Sequence, residues 1–120
     1  MSTGRLHCLI VEDHSTAALS LKAALGAMGF STFGFASTAT QALAAAKARK
    51  PDLVISSLSV HSGFETDALA ALNDEIDGAP IIFTADGEAV VDEALVLQRP
   101  VGRAALSRAW ETLRGEDAAA

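Results

Sequence analysis

Short apolar runs alternate along this chain with longer stretches whose apolar residues recur at helical spacing. Leu6–Val11 reads LHCLIV, the nearly continuous apolar run that a parallel strand buried on both faces requires. Strands that alternate with helices form parallel βαβ units with right-handed crossovers, so the pattern predicts an α/β sheet. The five predicted strands are Leu6–Val11, Phe30–Phe35, the run that follows Pro51 and ends near Ser57, Pro80–Phe83 and Leu95–Leu97.

Helical segments are predicted between and after these strands. Gly29 ends the first, Thr38 and Gln41 have the spacing of a capping box at the start of the second, and Pro51 stops the second. The four predicted segments are Ser15–Met28, the stretch that Thr38 caps, Glu65–Glu75 and Val101–Arg114. We expect residues 1–120 to form a single domain with a frayed tail over residues 115–120.

Charge and composition exclude several classes of function. The 120 residues include 15 acids against 9 Lys and Arg, a formal net charge of −6, which is unfavourable for binding a nucleic-acid phosphate backbone. No apolar run approaches ~18 residues, so we expect no membrane span, and the N-terminus does not read as a signal peptide. The single cysteine, Cys8, cannot form an internal disulfide, and we expect a reducing cytoplasm and a core position for it.

Polar residues follow or end the predicted strands, and in parallel sheets sites form at the carboxyl ends of strands. The positions at these ends are Glu12, Asp13 and His14 after the first strand, Ser56 and Ser57 at the third, Thr84 and Ala85 after the fourth, and Arg99 and Pro100 after the fifth. We expect His14 to begin the first helix without a catalytic duty.

Together with the segments CLIVEDH, ASTATQALAAAKARKPDLVI, PIIFTA and RPV, these residues resemble the receiver (CheY-like) domains of bacterial two-component response regulators over nearly the whole chain. The resemblance implies a flavodoxin-like fold, a (βα)5 three-layer sandwich with a parallel five-stranded sheet in the order 2-1-3-4-5. In that family an aspartate at the end of the third strand accepts a phosphoryl group from a histidine kinase. That aspartate and an acid pair hold Mg²⁺, while a hydroxyl and a lysine contact the phosphoryl oxygens.

Carried over residue by residue, the resemblance matches Glu12 and Asp13 to the acid pair and Thr84 to the hydroxyl. Arg99 stands where the lysine belongs, followed by Pro100 as in the family, and Val96 stands where an aromatic residue is usual. Because a guanidinium suits a bidentate carboxylate contact, we hypothesise that Arg99 folds back onto the acid pair and closes the site without metal. The segment between Thr84 and Arg99 is also shorter than its counterpart, which predicts a shortened fourth helix or an irregular loop.

Ser57 stands where the phospho-accepting aspartate belongs, and no other acid is expected to replace it. Asp52 lies at the other end of the strand with the opposite parity, and Asp67 falls within the predicted third helix. A serine needs a base to become a nucleophile, and His14 and His61 are the candidates. Two carboxylates remain where the family has three, so we expect no cofactor, or Mg²⁺ held weakly at a vestigial metal site formed by Glu12 and Asp13.

These observations predict a stand-alone, degenerate receiver domain, not an enzyme, that acts by protein contact without aspartyl phosphorylation. The expected partner is a signalling protein: a histidine kinase, a phosphotransfer protein or another regulator. A homodimer stays open. The alternatives are a receiver phosphorylated at Ser57 or a non-standard residue, a ligand-binding or catalytic flavodoxin-like module that would bind a nucleotide or a flavin, and a structural dimerisation domain. The second is disfavoured because DHSTAA, after the first strand, contains no glycine.

Overall fold

A computed structural model of the chain describes residues 6–57, 71–72, 74–85, 95–98 and 101–119. Within them lie five strands and three long helices, numbered separately in chain order. The strands are β1 (Leu6–Val11), β2 (Phe30–Ala36), β3 (Leu53–Ser57), β4 (Ile81–Ala85) and β5 (Leu95–Gln98). The helices are α1 (Ser15–Ala27), α2 (Ala39–Ala48) and α3 (Arg103–Ala119).

The strands form one sheet in the order β2-β1-β3-β4-β5, and every neighbouring pair is parallel. The sheet order and the fold class expected from the resemblance are therefore confirmed. The crossover from β2 across β1 to β3 reverses the direction in which the chain lays down its strands. This switch lies between β1 and β3, where ligand sites of open α/β sheets are found.

The two faces of the sheet carry separate apolar clusters because successive side chains of a strand point to opposite faces. On one face Cys8, Ile10 and Ile55 pack against Leu25 of α1 and Leu106 of α3. The other face is covered differently. There, Leu9, Val11 and Val54 pack against Ala42 of α2, against Leu72, which lies in the predicted third helix, and against Ile76, one residue beyond its predicted end. Residues 71, 72 and 74–76 are helical, and residues 65–70 and 73 of that prediction lie outside the described residues.

At the amino end of the sheet, where β1 lies next to β3, the polar residues His7 and Asp52 are hydrogen-bonded to each other. The backbone N–H of His7 donates to Oδ2 of Asp52 at 2.8 Å, and the N–H of Asp52 donates to the carbonyl of His7. Burial is the main cause that lowers the pKa of His7, whose Nδ1 lies 3.0 Å from Oγ1 of Thr32. Cys8 is fully buried, and desolvation raises the pKa of its thiol. The expected core position of Cys8 is confirmed.

Local signals set the ends of α1 and α2. Gly29 follows α1 with φ 106°, a conformation that disfavours any side chain, so the predicted end is confirmed. At the start of α2 the side chain of Thr38 accepts from the N–H of Gln41 at 3.1 Å. The Gln41 side chain accepts from the N–H of Ser37 at 2.8 Å rather than from Thr38, so the expected cap is present with its return bond shifted by one residue.

Two elements, the C-terminal helix and β4, differ from the predictions by two residues or more. The C-terminal helix begins at Arg103 and runs to Ala119, so the predicted range Val101–Arg114 is wrong at both ends. The prediction ended the helix before Gly115, because glycine is unfavourable in a helix. The alanines and the glutamate that follow are strong helix formers and offset this single residue. Strand β4 reaches Ala85 instead of Phe83, because threonine is a good strand former and continues the ladder. Among the described residues, no helix has the length and apolar character needed to cross a membrane.

We expect Thr38→Ala to lower the free energy of unfolding by about 1 kcal/mol, because the N–H of Gln41 loses its acceptor. Thr112→Ala is the matched control: Thr112 is exposed within α3 and its hydroxyl donates back to the carbonyl of Arg108 at 2.9 Å, a bond that does not favour the helix. Urea unfolding should show the control unchanged or slightly stabilised. Equal losses in the two variants would contradict the capping role.

Candidate functional site

The carboxyl ends of β1, β3 and β4 bring the predicted site residues to one edge of the sheet. Val11, the last residue of β1, is level with Ser56 of β3, and Ser57 is level with Thr84 of β4. Glu12 follows Val11 directly, and its N–H donates to the carbonyl of Ala36 at 2.9 Å, which continues the ladder with β2. Three of the predicted positions, Glu12, Ser57 and Thr84, therefore lie at or next to the ends of neighbouring strands on the same edge.

The two acids that follow β1 have different surroundings. The side chain of Glu12 is 1% exposed, whereas that of Asp13 is 48% exposed. A hydrogen bond with Glu12 is the main cause that holds the pKa of Asp13 below its ordinary value, and the neighbouring His14 contributes in the same direction. Asp13 is therefore an ionised carboxylate that is open to solvent, beside a carboxyl group that is enclosed by protein.

His14 joins this acid pair, which the sequence analysis did not anticipate. Its Nδ1 lies 3.3 Å from Oε2 of Glu12 and 3.1 Å from Oδ1 of Asp13. Its backbone N–H also donates to Oε2 of Glu12 at 3.1 Å, and the residue holds the N-cap position of α1 without a side-chain cap bond. The expected place at the start of the helix is confirmed, but the ring turns back onto the acids. The available signal was proximity: an imidazole one residue after an acid pair can reach both carboxylates.

Ser56 and Ser57 end β3 on opposite faces. Ile55 belongs to the cluster under α1 and α3, and Val54 to the cluster under α2, so Ser57 shares the face of α1 and α3 and Ser56 the face of α2. Ser57 is 1% exposed and Ser56 is fully buried, with its hydroxyl donating to the carbonyl of Ser57 at 3.4 Å. The residue at the phospho-acceptor position is thus a small, enclosed hydroxyl.

Thr84 lies inside β4, one residue before its end, and is 1% exposed. Because paired residues of parallel strands share a face, its side chain lies on the same face as that of Ser57. Its Oγ1 is buried and has no hydrogen-bond partner among the residues that the structure describes. A buried hydroxyl without a partner carries a desolvation cost and is an unsatisfied polar group at this edge.

The other predicted site positions are not brought to this edge or are not described. Asp52 bonds to His7 at the amino end of the sheet, which confirms that it cannot replace the missing aspartate. Val96 is half-buried and level with Phe83. The positions outside the described residues are Arg99 and Pro100, the base candidate His61, Asp67 and the shortened segment over residues 86–94. The contact of Arg99 with the acid pair stays a hypothesis.

A groove of about 360 Å³ borders the acid pair between α1 and the β2–α2 connection. Its lining includes Asp13, Gln41 and two apolar side chains with high exposure, Leu19 at 61% and Phe35 at 49%. The groove therefore combines an acidic end with an apolar wall and opens to solvent beside the site.

The donor set at this edge departs from the one that the resemblance implies for Mg²⁺. That ion binds oxygen ligands and requires near-ideal octahedral geometry. The structure brings together two carboxylates and one imidazole, Glu12, Asp13 and His14, whose donor atoms lie within 4.8 Å of one another. Ser57 supplies no third carboxylate. Among the described residues, this edge supplies one carboxylate fewer than the site that the resemblance implies for Mg²⁺.

No model of a protein family and no curated protein matches this sequence. Solved structures do resemble the fold. The REC domain of the response regulator PhyR from Erythrobacter litoralis has a TM-score of 0.76 at 22% identity, over 91% of this chain and 89% of that one. A CheY-like receiver domain from Methylobacillus flagellatus has a TM-score of 0.72 at 24% identity, over 90% and 98%.

The anti-anti-sigma factor PhyR from Bartonella quintana has a TM-score of 0.70 at 19% identity. The match covers 86% of this chain but 45% of that protein, so this chain spans less than half of its length. Together these likenesses show that the chain has the fold of response regulator receiver domains.

Proposed function

We propose that the chain is a receiver-like signalling domain that acts by contact with another protein and accepts no phosphoryl group on an aspartate. The observation that carries this proposal is the residue at the end of β3. Ser57 is enclosed there, level with Thr84 and beside β1, the strand that Glu12 follows. In the family that it resembles, this position holds the carboxylate that forms the acyl phosphate.

Phosphorylation of Ser57 itself is the alternative, and the geometry disfavours it. A serine hydroxyl is a weak nucleophile unless a base removes its proton. His14, one of the two candidate bases, has its Nδ1 engaged with Glu12 and Asp13. The serine oxygen is also one bond nearer the backbone than an aspartate oxygen, roughly 1 Å short, and such displacements of a reacting atom are costly.

A contact role is supported by the fold and by the exposed surface beside the site. Receiver-fold neighbours include a protein described as an anti-anti-sigma factor, a name that denotes action on another protein. In this chain Leu19 and Phe35 are the large apolar side chains with high exposure among the described residues, and both line the groove next to Asp13. We infer that the partner is a signalling protein such as a histidine kinase, a phosphotransfer protein or another regulator.

Intact-mass analysis after incubation with a small phosphodonor, acetyl phosphate with Mg²⁺, tests this proposal. We expect no species heavier by about 80 Da, the mass of one phosphoryl group, under conditions that fully label an ordinary receiver domain. Ser57→Ala and Ser56→Ala are matched controls. An adduct that Ser57→Ala abolishes and Ser56→Ala retains would establish the alternative, and an adduct that survives both would place the phosphoryl group on another residue. Either result would overturn the proposal.

A further inference from the structure

Strand β2 forms an edge of the sheet, and the described residues include no strand on its outer side. It is the longest of the described strands, and its seven residues, FSTFGFA, include no charged residue and no proline. Edge strands in natural proteins are usually short, or carry lysine, proline or a bulge that prevents pairing with another strand. The one irregularity here lies beside Leu6 and His7, and the pairs from Thr32 to Ala36 are regular. This part of β2 is therefore an edge that can accept another strand.

The backbone groups that face outward from this edge belong to Phe33 and Phe35. The carbonyl of Ala36 accepts from the N–H of Glu12, so the backbone of Ala36 faces β1. Successive residues of a strand direct their backbone groups to opposite sides, so Gly34 also faces β1, whereas Phe33 and Phe35 present N–H and C=O to the outer side. Two outward residues with this spacing can bind an antiparallel strand through paired hydrogen bonds.

The side chains of Phe33 and Phe35 lie on the face of the sheet that α1 covers. Phe33 is level with Cys8 and Phe35 with Ile10, and both of these β1 residues belong to the cluster on that face. Phe33 is half-buried, whereas Phe35 is 49% exposed. An aromatic side chain opposite Phe35 on a neighbouring strand would bury its exposed surface and add a cross-strand aromatic contact.

The charges near the two phenylalanines have opposite signs. Nζ of Lys22 lies 5.9 Å from the centre of the Phe33 ring. Phe35 lines the groove that also includes Asp13, whose side chain is 48% exposed. In an antiparallel pair of identical strands, the end near Lys22 of one copy lies beside the end near Asp13 of the other. The edge is thus complementary in charge to a second copy of itself, and a parallel pair would instead bring like charges together.

We propose that two copies of this chain pair through β2, antiparallel about a two-fold axis at Gly34. Phe33 of each copy lies opposite Phe35 of the other, and each such pair exchanges two backbone hydrogen bonds. The two Gly34 residues meet at the axis as a pair without hydrogen bonds, in which Cα atoms approach to about 4.5 Å, and glycine adds no side chain to this close contact.

This pairing does not rest on the proposed function, because it uses the edge of β2 and not Ser57. It does affect access to the groove beside the site. A second copy covers Phe35 and therefore competes with any other partner that contacts this side chain.

Sedimentation velocity of the full chain from about 10 μM to about 1 mM tests the proposal. We expect the mass to rise from one chain to two within this range, because a contact through one strand and its flanking side chains is at the small end of specific interfaces. A chain that remains monomeric throughout would overturn the proposal and leave the edge to a strand of another protein. Continued growth beyond two copies would also overturn it, since a two-fold contact closes at two.

Residue-resolved hydrogen exchange at the two ends of this concentration range locates the contact. The amides of Phe33 and Phe35 should exchange several-fold more slowly at the high concentration, because they gain acceptors in the second copy. The amides of Gly34 and Ala36 face β1 in either state and should change little. A dimer in which the exchange of Phe33 and Phe35 is unchanged would place the contact elsewhere and overturn the assignment to β2.

Phe35→Lys tests the strand pairing itself. It removes an aromatic contact and places a positive charge on the edge beside Lys22 of the second copy, so we expect the dimer to weaken at least about tenfold. Thr112→Lys adds the same charge at an exposed position of α3 and should leave the association unchanged. Unchanged association in Phe35→Lys, or equal weakening in both variants, would overturn the proposal. Circular dichroism establishes that each variant is folded.

Lys22→Glu tests the antiparallel orientation. It places a negative charge beside Asp13 of the second copy, and we expect the dimer to weaken about two- to fivefold, the range of an exposed ion pair. Lys47→Glu makes the same change of charge at an exposed position of α2 and is the matched control. Equal association of these two variants would contradict the antiparallel arrangement.

Discussion

Ser57→Asp is expected to lower the free energy of unfolding by about 3 kcal/mol in the presence of a chelator, and Mg²⁺ is expected to recover much of this loss. Position 57 is 1% exposed and lies at the same edge as the enclosed carboxyl of Glu12. A further carboxylate placed there adds a buried charge at an edge that already holds a buried carboxyl, and buried charges cost several kcal/mol. The added acid restores the third oxygen ligand that the receiver-type magnesium site requires.

The magnesium response follows from binding to the folded chain alone. An ion at a hundredfold excess over its dissociation constant stabilises the folded state by about 2.7 kcal/mol. Urea unfolding of Ser57→Asp with chelator and with saturating MgCl₂ measures both effects. Ser57→Asn is the matched control: it has the same size but no charge, so it should lose less stability and show no response to Mg²⁺. Equal behaviour of the two variants would contradict the role of charge at this position.

The pH dependence of the same variant has a definite sign. Burial beside another carboxyl raises the pKa of an introduced aspartate in the folded state above the ~3.9 of the unfolded chain. The folded chain then binds more protons than the unfolded chain, so the loss relative to the parent is greatest above the folded pKa. It shrinks as the pH falls and disappears below about 3.9, where both states carry the proton.

The strand positions were predictable because burial on both faces leaves a strong mark in sequence. Leu6–Val11 was predicted with its observed limits, since only His7 interrupts the apolar run before Glu12. The limits of β3, which is buried throughout, followed from the same signal. Those of the partly exposed edge strands β2 and β5 were predicted within about one residue from their short apolar runs. Errors arose at residues whose type is compatible with both a regular element and a connection. Thr84 was assigned to the connection after β4, and the alanines after Gly115 were assigned to a tail.

The contents of the site were only partly predictable. The positions of Glu12, Ser57 and Thr84 followed from the rule that parallel strands end at one edge, and the register bears this out. The contacts of His14 could not be predicted, because they depend on the side-chain rotamer. One rotamer points the ring to solvent and another points it to the two carboxylates, and the sequence does not indicate which is adopted. The burial difference between adjacent Glu12 and Asp13 was equally invisible, since it depends on how α1 and β2 enclose one of them.

The C-terminal helix provides a test of whether the chain folds as one unit. Leu106 of α3 is fully buried in the cluster that also contains Leu25 of α1 and Ile82 of β4. Leu106→Ala is expected to lower the free energy of unfolding by about 3 kcal/mol, from lost burial and the cavity that remains. Leu19→Ala is the matched control, because Leu19 is 61% exposed on α1 and the same substitution there should change stability by less than about 0.5 kcal/mol.

Two probes can report on this helix and on the whole fold at once. Trp110 is the single tryptophan of the chain, and its ring packs against Phe30 of β2 with centroids 5.2 Å apart. Its fluorescence therefore follows the docking of α3, while far-ultraviolet circular dichroism follows all helices and strands. If α3 belongs to a single cooperative domain, the two transitions coincide in the parent chain, and Leu106→Ala moves both midpoints together without changing the slope with urea. A fluorescence transition that moves to lower urea while the dichroism transition stays would instead show that α3 is a separable appendage, and that the sheet with α1 and α2 folds without it.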